Sequence, residues 1–159
     1  MDKFLENLLL KYIVTNTDKY SEYTSSSSSV DLIISCTVLE HIRPFEMHIS
    51  NLVDILSTGG KMLHIVDFRD HDHRKVKDDP YRYWRFLISD NVRCAKSCNR
   101  LRHSQMMQAF KKYGLKIREI DLYQKQLPNG LQEQLLPRFQ SIPKKDLKIL
   151  MATYLLQKR

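Results

Sequence analysis

Two short polar segments, each placed after an apolar run, hold the side chains most suited to chemistry. One runs from Ser35 to Thr37, with His41 shortly after it, and the other runs from Asp67 to His71. Ligands in open α/β sheets bind beyond the carboxyl ends of the strands, so both segments are predicted to face one crevice. His71 is the candidate base or substrate contact, because an imidazole exchanges a proton near neutral pH. His71 could equally be a histidine with no chemical role, in a loop that covers the sheet end. His41 could equally cap or pack against the helix start.

A different set of side chains has the composition of a zinc site. Its members are two imidazoles and two thiols, His71, His73, Cys94 and Cys98. These are donor types that Zn²⁺ prefers. The spacing lacks the close Cys-x-x-Cys pair of most structural zinc sites, so the sequence assigns no metal and leaves zinc binding as an alternative.

A third interpretation rests on the stretch from Arg82 to Arg102, which mixes cationic and aromatic residues. Lysine and arginine would contact phosphates there, and Tyr83 or Trp84 would stack on bases. The chain has 26 Lys and Arg against 18 Asp and Glu, a formal net charge of +8. That excess favours anionic partners in general, so a non-catalytic nucleic-acid-binding module stays open beside a loop that covers a small-molecule site.

Apolar patterning predicts a strand, a helix and a second strand in the first half of the chain. Val30 to Ser35 is almost continuously apolar, which predicts a strand buried on both faces, as in a parallel sheet. Pro44 suits the first turn of the following helix, and the pair Gly59 and Gly60 is predicted to end it. Lys61 to Phe68 is again apolar, so this order indicates a parallel α/β unit.

The second half of the chain begins with a segment of different amino-acid composition. Residues 69–103 alternate charge, histidine and aromatic side chains, which predicts an insertion that covers the substrate. Ser104 is predicted to cap a helix that Gly114 ends. Strands are predicted at Leu115 to Tyr123 and at Leu147 to Leu156.

Length and composition predict that residues 1–159 form one domain, either of ordinary size or a part of a larger one. The chain is 42% hydrophobic and 28% charged, with a mean hydropathy of −0.44, which excludes global disorder. It lacks an apolar stretch of about 20 residues and a secretory cleavage site, so no membrane association is expected. Three cysteines are an odd count, which favours reduced thiols and a cytoplasmic location.

The segment from Val30 to Ile42, with its helix, glycine pair and second strand, resembles the second half of class I S-adenosylmethionine-dependent methyltransferases. The matching features are an early strand acid, a short turn, a Leu-Glu-His start and two glycines: Asp31, Ser35 to Thr37, Leu39 to His41, and Gly59 with Gly60. Asn99 to Ser104 and the helix after them resemble the helix before the family's last hairpin. The resemblance implies an α/β fold: a partial Rossmann-like sheet, truncated at the N-terminus, with helices on both faces and an antiparallel final pair of strands.

The same resemblance implies S-adenosylmethionine as the methyl donor and an unidentified acceptor, a small molecule among the options. Cofactor contacts would come from Asp18, Ser35, Cys36, Thr37 and His41. Substrate contacts would come from Asp67, Arg69, Tyr81 and Trp84, with His71 as the candidate base. Asp18 as a solvated loop acid fits equally well, and Cys36 suits a small turn-side hydrophobe better than a nucleophile.

Two family features have no counterpart in the sequence, the glycine-rich loop after the first strand and the acid that holds the ribose. The four glycines are Gly59, Gly60, Gly114 and Gly130. We therefore expect this chain alone to bind S-adenosylmethionine weakly or not at all, which leaves its catalytic activity open.

The family's sheet order of three, two, one, four, five, seven, six also implies an unprotected edge. Without strands one and two, Val30 to Ser35 would become an apolar edge, an aggregation hazard unless it is covered. The candidates to cover it are the segment Tyr12 to Thr15, a second copy of the chain, or an N-terminal segment of a longer parent.

Overall fold

A computed structural model describes residues 30–159, apart from the side chains of residues 118–120. The predictions for Asp18 and for the segment Tyr12 to Thr15 lie outside the described residues. No helix within the described range is both long and apolar enough to cross a membrane.

The described chain folds as four strands with interspersed helices. In chain order the elements are β1 (Val30–Cys36), α1 (Phe45–Ile55), β2 (Leu56–Asp67), α2 (Arg85–Ile88), α3 (Arg93–Ser97), α4 (His103–Lys112), β3 (Leu115–Gln124), α5 (Leu131–Gln134), α6 (Lys144–Leu147) and β4 (Ile149–Lys158). Short 3-10 turns lie at Leu39–His41 and Pro137–Phe139. The predicted strand, helix, strand order of the first half is confirmed.

The sheet order is β1-β2-β4-β3, with β1 parallel to β2 and β4 antiparallel to both of its neighbours. This arrangement matches strands four, five, seven and six of the order that the resemblance implied. The predicted mixed α/β sheet and its final antiparallel pair are therefore confirmed.

The main core lies between one face of the sheet and the two longest helices, α1 and α4. Alternate residues of β2 and β4, among them Met62, Val66 and Tyr154, join Ile49 of α1 and Phe110 of α4 in one buried cluster. Side chains alternate between faces along a strand, so both long helices cover the same face.

Strand β1 was predicted to be buried on both faces, and this prediction is wrong. Ile33 packs against the main core, whereas Leu32 is 54% exposed and Ile34 is 65% exposed. Among the described strands β1 pairs only with β2, and the exposed side chains point to the face opposite α1 and α4. That the edge is covered by an N-terminal segment or a second copy stays a prediction.

Replacing Ile34 by lysine tests whether this face is covered. If it is, the buried charge should lower the free energy of unfolding by about 2 kcal/mol, and it should dissociate a dimer built on that face. Val38→Lys is the control, because Val38 is 40% exposed in the turn beyond the strand. Denaturant titration and sedimentation of both variants are the measurements. Unchanged stability and mass in Ile34→Lys would contradict cover of the edge by this chain's own residues or by a second copy.

Two helix boundaries differ from their predictions. Helix α1 ends at Ile55, before the glycine pair, and Gly59 instead takes a positive φ of 77° inside β2, where the pairing with β1 shifts register. Ser104 is the second residue of α4 rather than its cap, and its hydroxyl donates to the Asp146 carboxylate. Gly114 ends α4 as predicted, since its φ of 74° turns the chain and its N–H donates to the carbonyl of Lys111.

Residues 69–103 are folded into a second hydrophobic cluster. Trp84 is 2% exposed within it, and its indole N–H donates to the Leu147 carbonyl at 2.7 Å. Leu87 and Cys94 join residues from α5, α6 and the start of β4 in the same cluster. The insertion is therefore anchored to the end of the sheet, and its role in covering a substrate stays a prediction.

Candidate functional site

The carboxyl ends of β1 and β2 lie side by side, and the polar segments that follow them meet. The N–H of Thr37 donates to the Ile65 carbonyl at 2.8 Å, which extends the pairing of the two strands. The rings of His41 and His71 lie with centroids 4.9 Å apart at an angle of 67°. The structure thus brings the two predicted segments together.

A thiol joins these two histidines. Cys98 Sγ lies 3.9 Å from His41 Nδ1, and one ligand atom each of His41, His71 and Cys98 lies within 4.8 Å of the others. We call these three residues the imidazole–thiol cluster. Cys94 lies beside it, with its Sγ 2.9 Å from Cys98 Sγ.

Of the four residues in the zinc alternative, three come together and one does not. His73 hydrogen-bonds through Nδ1 to the Asp70 carbonyl and packs its ring against Tyr83. His41 occupies the place beside Cys98 that the sequence alternative gave to His73.

Asn99 holds the turn that carries His41. Its side-chain amide donates to the carbonyls of Leu39 at 2.7 Å and Ile42 at 3.1 Å, and its backbone N–H donates to the Glu40 carbonyl. In the sequence Asn99 is visible only as part of the family resemblance, because the carbonyls that accept its hydrogen bonds lie almost 60 residues earlier. Asn99 is therefore a positioning residue for the crevice.

Glu40 is a buried acid that sequence analysis missed as a site residue. It is 3% exposed, and neither carboxyl oxygen has a hydrogen bond within the described part of the chain. Burial raises its pKa to about 7, with a smaller contribution from Asp67, while nearby backbone amides and His41 act in the opposite direction. A buried carboxyl with so little compensation is typical of functional sites. The Leu-Glu-His motif was the only sequence signal.

Asp67 and Arg69, both predicted substrate contacts, are bound to each other. The Arg69 guanidinium donates to the two carboxylate oxygens at 2.8 and 2.7 Å, and the Arg69 N–H donates to the first of them at 2.9 Å. The hydrogen bond to Asp67 raises the pKa of Arg69. This bidentate pair fixes the start of the segment that leads to His71.

His71 is partly buried in the segment that follows β2. Burial lowers its pKa, and the negative charge of Asp67 opposes that effect. Its Nε2 is buried, with no hydrogen-bond partner in residues 30–159. The imidazole can therefore accept a proton or bind a ligand at this atom.

The thiols of the crevice interact directly. The hydrogen bond between the Cys94 and Cys98 thiols lowers the pKa of Cys98 to about 7 and raises the pKa of Cys94. Cys98 is consequently the more acidic thiol of the pair.

The three predicted cofactor contacts at the end of β1, Ser35 to Thr37, differ from one another in their surroundings. Ser35 lies on the face of α1 and α4, where its Oγ is 2.7 Å from His64 Nδ1, so its side chain is engaged away from the crevice. Cys36 is an exposed free thiol at the strand end. Thr37 has a φ of 52°, a conformation that is strained for a β-branched residue and typical of functional turns.

The other two predicted substrate residues, Tyr81 and Trp84, contact parts of the described chain other than the imidazole–thiol cluster. Tyr81 donates its hydroxyl to the Asn129 carbonyl at 3.0 Å. Trp84 is in the second hydrophobic cluster, so its ring is not presented for stacking.

The basic stretch is largely occupied by internal partners. Arg100 donates to the carbonyl of Ala95 and to Asp90, and Arg102 is fully buried. These contacts weaken the nucleic-acid interpretation, because phosphate binding needs accessible cations.

An open α/β sheet with polar side chains gathered at the carboxyl ends of its parallel strands defines the class of fold. Residues 6–120 match the family model of a methyltransferase domain, which is more than half of the chain. The chain therefore belongs to this methyltransferase family. No curated protein sequence matches it.

Solved structures show the same fold at low sequence identity. The CurJ carbon methyltransferase is 13% identical with a TM-score of 0.56, over 98% of this chain and 36% of that chain. YcgJ from Bacillus subtilis is 12% identical with a TM-score of 0.55, over 91% of this chain and 69% of that one. A SAM-dependent methyltransferase from Methanosarcina mazei is 13% identical with a TM-score of 0.56, over 92% and 66%. The chain thus spans about a third to two thirds of these proteins, and its family implies S-adenosylmethionine as the cofactor.

Proposed function

We propose that this chain supplies the acceptor side of a site for S-adenosylmethionine-dependent methyl transfer. The observation that carries the proposal is the convergence of His41 and His71 beyond the carboxyl ends of β1 and β2, in a chain of the methyltransferase family. Ligands of open α/β sheets bind at this edge.

The described residues fit one side of the cofactor. Cys36 and His41 are exposed, and the buried Glu40 carboxyl acts electrostatically on His41, so a cationic sulfonium bound there would favour the ionised form of Glu40. The first glycine of the sequence is Gly59, so a glycine-rich loop between an early strand and helix has no counterpart. We therefore propose that this chain alone binds the cofactor weakly.

S-adenosylmethionine, when bound, supplies a methyl group on a sulfonium centre. The protein's tasks are to hold the acceptor in contact with that group and to exclude water. With its own proton on Nδ1, His71 takes the acceptor's proton at the buried Nε2 and later returns it to solvent. The Asp67–Arg69 pair holds the segment in place, and His41 borders the acceptor from the opposite wall. The proposed acceptor is accordingly a molecule whose nucleophile must lose a proton.

The proposal predicts weak but localised cofactor binding. We expect millimolar S-adenosylmethionine to shift the amide resonances of Thr37, His41 and His71 in the labelled full chain, with weak affinity because the glycine loop has no counterpart. His71→Gln should change the shifts near β2, whereas the control His73→Gln should leave them as they are, since His73 lies outside the cluster.

Two results would contradict this prediction. Absence of shifts at the carboxyl ends of β1 and β2 would refute the location of the site. Micromolar affinity in calorimetry would refute the weak binding and show that the chain holds the cofactor without a glycine loop.

A further inference from the structure

We propose that the imidazole–thiol cluster of His41, His71 and Cys98 binds one divalent transition-metal ion of the Zn²⁺ class, with Cys94 supporting Cys98 from behind. The site uses His41 and His71 of the same crevice, and an ion on His71 Nε2 would prevent that atom from acting as the base of the proposed methyl transfer. Two imidazoles and one thiolate are a ligand set suited to zinc.

The separations need only a small adjustment to hold an ion. With zinc–nitrogen bonds of about 2.1 Å and zinc–sulfur bonds of about 2.3 Å, tetrahedral ligand atoms lie roughly 3.4 to 3.6 Å apart. One ligand atom each of His41, His71 and Cys98 already lies within 4.8 Å of the others. Side-chain rotations alone can close that difference.

The hydrogen bonds of each proposed ligand side chain are compatible with metal binding. His41 Nδ1 lies 3.0 Å from the Ser97 carbonyl, so a neutral His41 donates there and keeps its Nε2 lone pair free for an ion. His71 Nε2 is buried without a hydrogen bond in the described part of the chain, a deficit that an ion would remove. Cys94 Sγ, 2.9 Å from Cys98 Sγ, supplies a hydrogen bond to a metal-bound thiolate.

The charge around the cluster also favours a cation. The Glu40 carboxyl is buried and acts electrostatically on His41, and the Asp67 carboxylate acts likewise on His71. Arg69 is paired with Asp67, and the Arg43 guanidinium is bound to the Cys98 carbonyl. A divalent ion bound beside His41 would therefore favour the ionised form of the buried Glu40 carboxyl.

Three protein ligands leave a fourth position for water or a small ligand. His41 is exposed, which gives an ion a path from solvent, whereas Cys98 is 3% exposed and shields the inner side. An open fourth position is the arrangement of catalytic rather than structural zinc sites.

Titration of the metal-free, reduced full chain with Co²⁺ and then Zn²⁺ tests the proposal. We expect one ion per chain, visible absorption typical of tetrahedral Co²⁺ with a thiolate charge-transfer band, and displacement of Co²⁺ by Zn²⁺. His41→Ala, at an exposed position, should weaken binding by about 100-fold or more, and Cys98→Ser should remove the thiolate band. Cys94→Ala should weaken binding by about 10-fold while the band is retained.

Matched controls come from a histidine and a cysteine outside the cluster. His73→Ala and Cys36→Ser should bind Co²⁺ as the unmodified chain does, because His73 packs on Tyr83 and Cys36 lies at the end of β1. Absence of a thiolate band in the unmodified chain, or unchanged affinity in His41→Ala, would overturn the proposal. Neither result bears on S-adenosylmethionine binding, so failure of the metal site and failure of the proposed function are distinguishable.

Discussion

Replacing Arg102 by alanine is expected to lower the free energy of unfolding by about 3 to 5 kcal/mol. Arg102 is fully buried, and its guanidinium donates to the carbonyls of Phe68, at 2.8 Å, and Ile149. It also lies over the Phe68 ring, 5.1 Å from its centroid. Alanine would leave these carbonyls without a donor inside the core and would open a cavity between the end of β2 and the start of β4.

Arg74→Ala is the control, because Arg74 is exposed in the same insertion, and it should change the free energy of unfolding by less than about 0.5 kcal/mol. Arg102→Lys keeps the charge but loses the forked donor geometry, so it should fall between the two. Urea titration of the three variants is the measurement. Equal midpoints for Arg102→Ala and Arg74→Ala would show that the buried network does not hold these strand ends together.

The second large effect is a pH dependence carried by Glu40. Burial raises its pKa from 4.5 to about 7, so between these values the folded chain keeps a proton that the unfolded chain has lost. Stability from this group therefore falls as pH rises through that window, by about 3 kcal/mol in total. Glu40→Gln removes the fall and should be more stable than the unmodified chain at pH 7 by about this amount.

His64 opposes Glu40 over almost the same window. Burial, with a smaller effect from His48, lowers the pKa of His64 from 6.5 to about 4, so here the unfolded chain holds the extra proton. Stability from His64 therefore rises with pH from about 4 to 6.5. The unmodified chain should show a nearly flat profile, and Glu40→Gln should expose the rise that His64 causes.

Denaturant titrations across this pH range, with a chelator present, measure both contributions. Glu133→Gln is the control, because Glu133 is exposed in α5, and its profile should run parallel to that of the unmodified chain. A Glu40→Gln profile parallel to that of the unmodified chain would contradict the buried, proton-holding Glu40.

The sequence by itself determined the order of elements and the place of the crevice. Continuous apolar runs at β1 and β2, with a helix between them, predict a parallel pair, and the carboxyl ends of parallel strands share one edge. That rule is local and geometric, which is why His41 and His71 could be placed together from their positions after two strands. The order of β4 and β3 came from the family resemblance, and the structure confirms it.

Only the tertiary structure decided which of these side chains are buried and what they contact. Cys98 reaches His41 across 57 positions, and Arg102 reaches carbonyls of Phe68 and Ile149 far along the chain in both directions. The exposure of Ile34 likewise depends on which sheet face the helices cover, and an unbroken apolar run carries no information about that choice. Periodicity encodes contacts within a segment, whereas burial and long-range hydrogen bonds arise when segments pack together, so the charge state of Glu40 and the imidazole–thiol cluster emerge only in the folded chain.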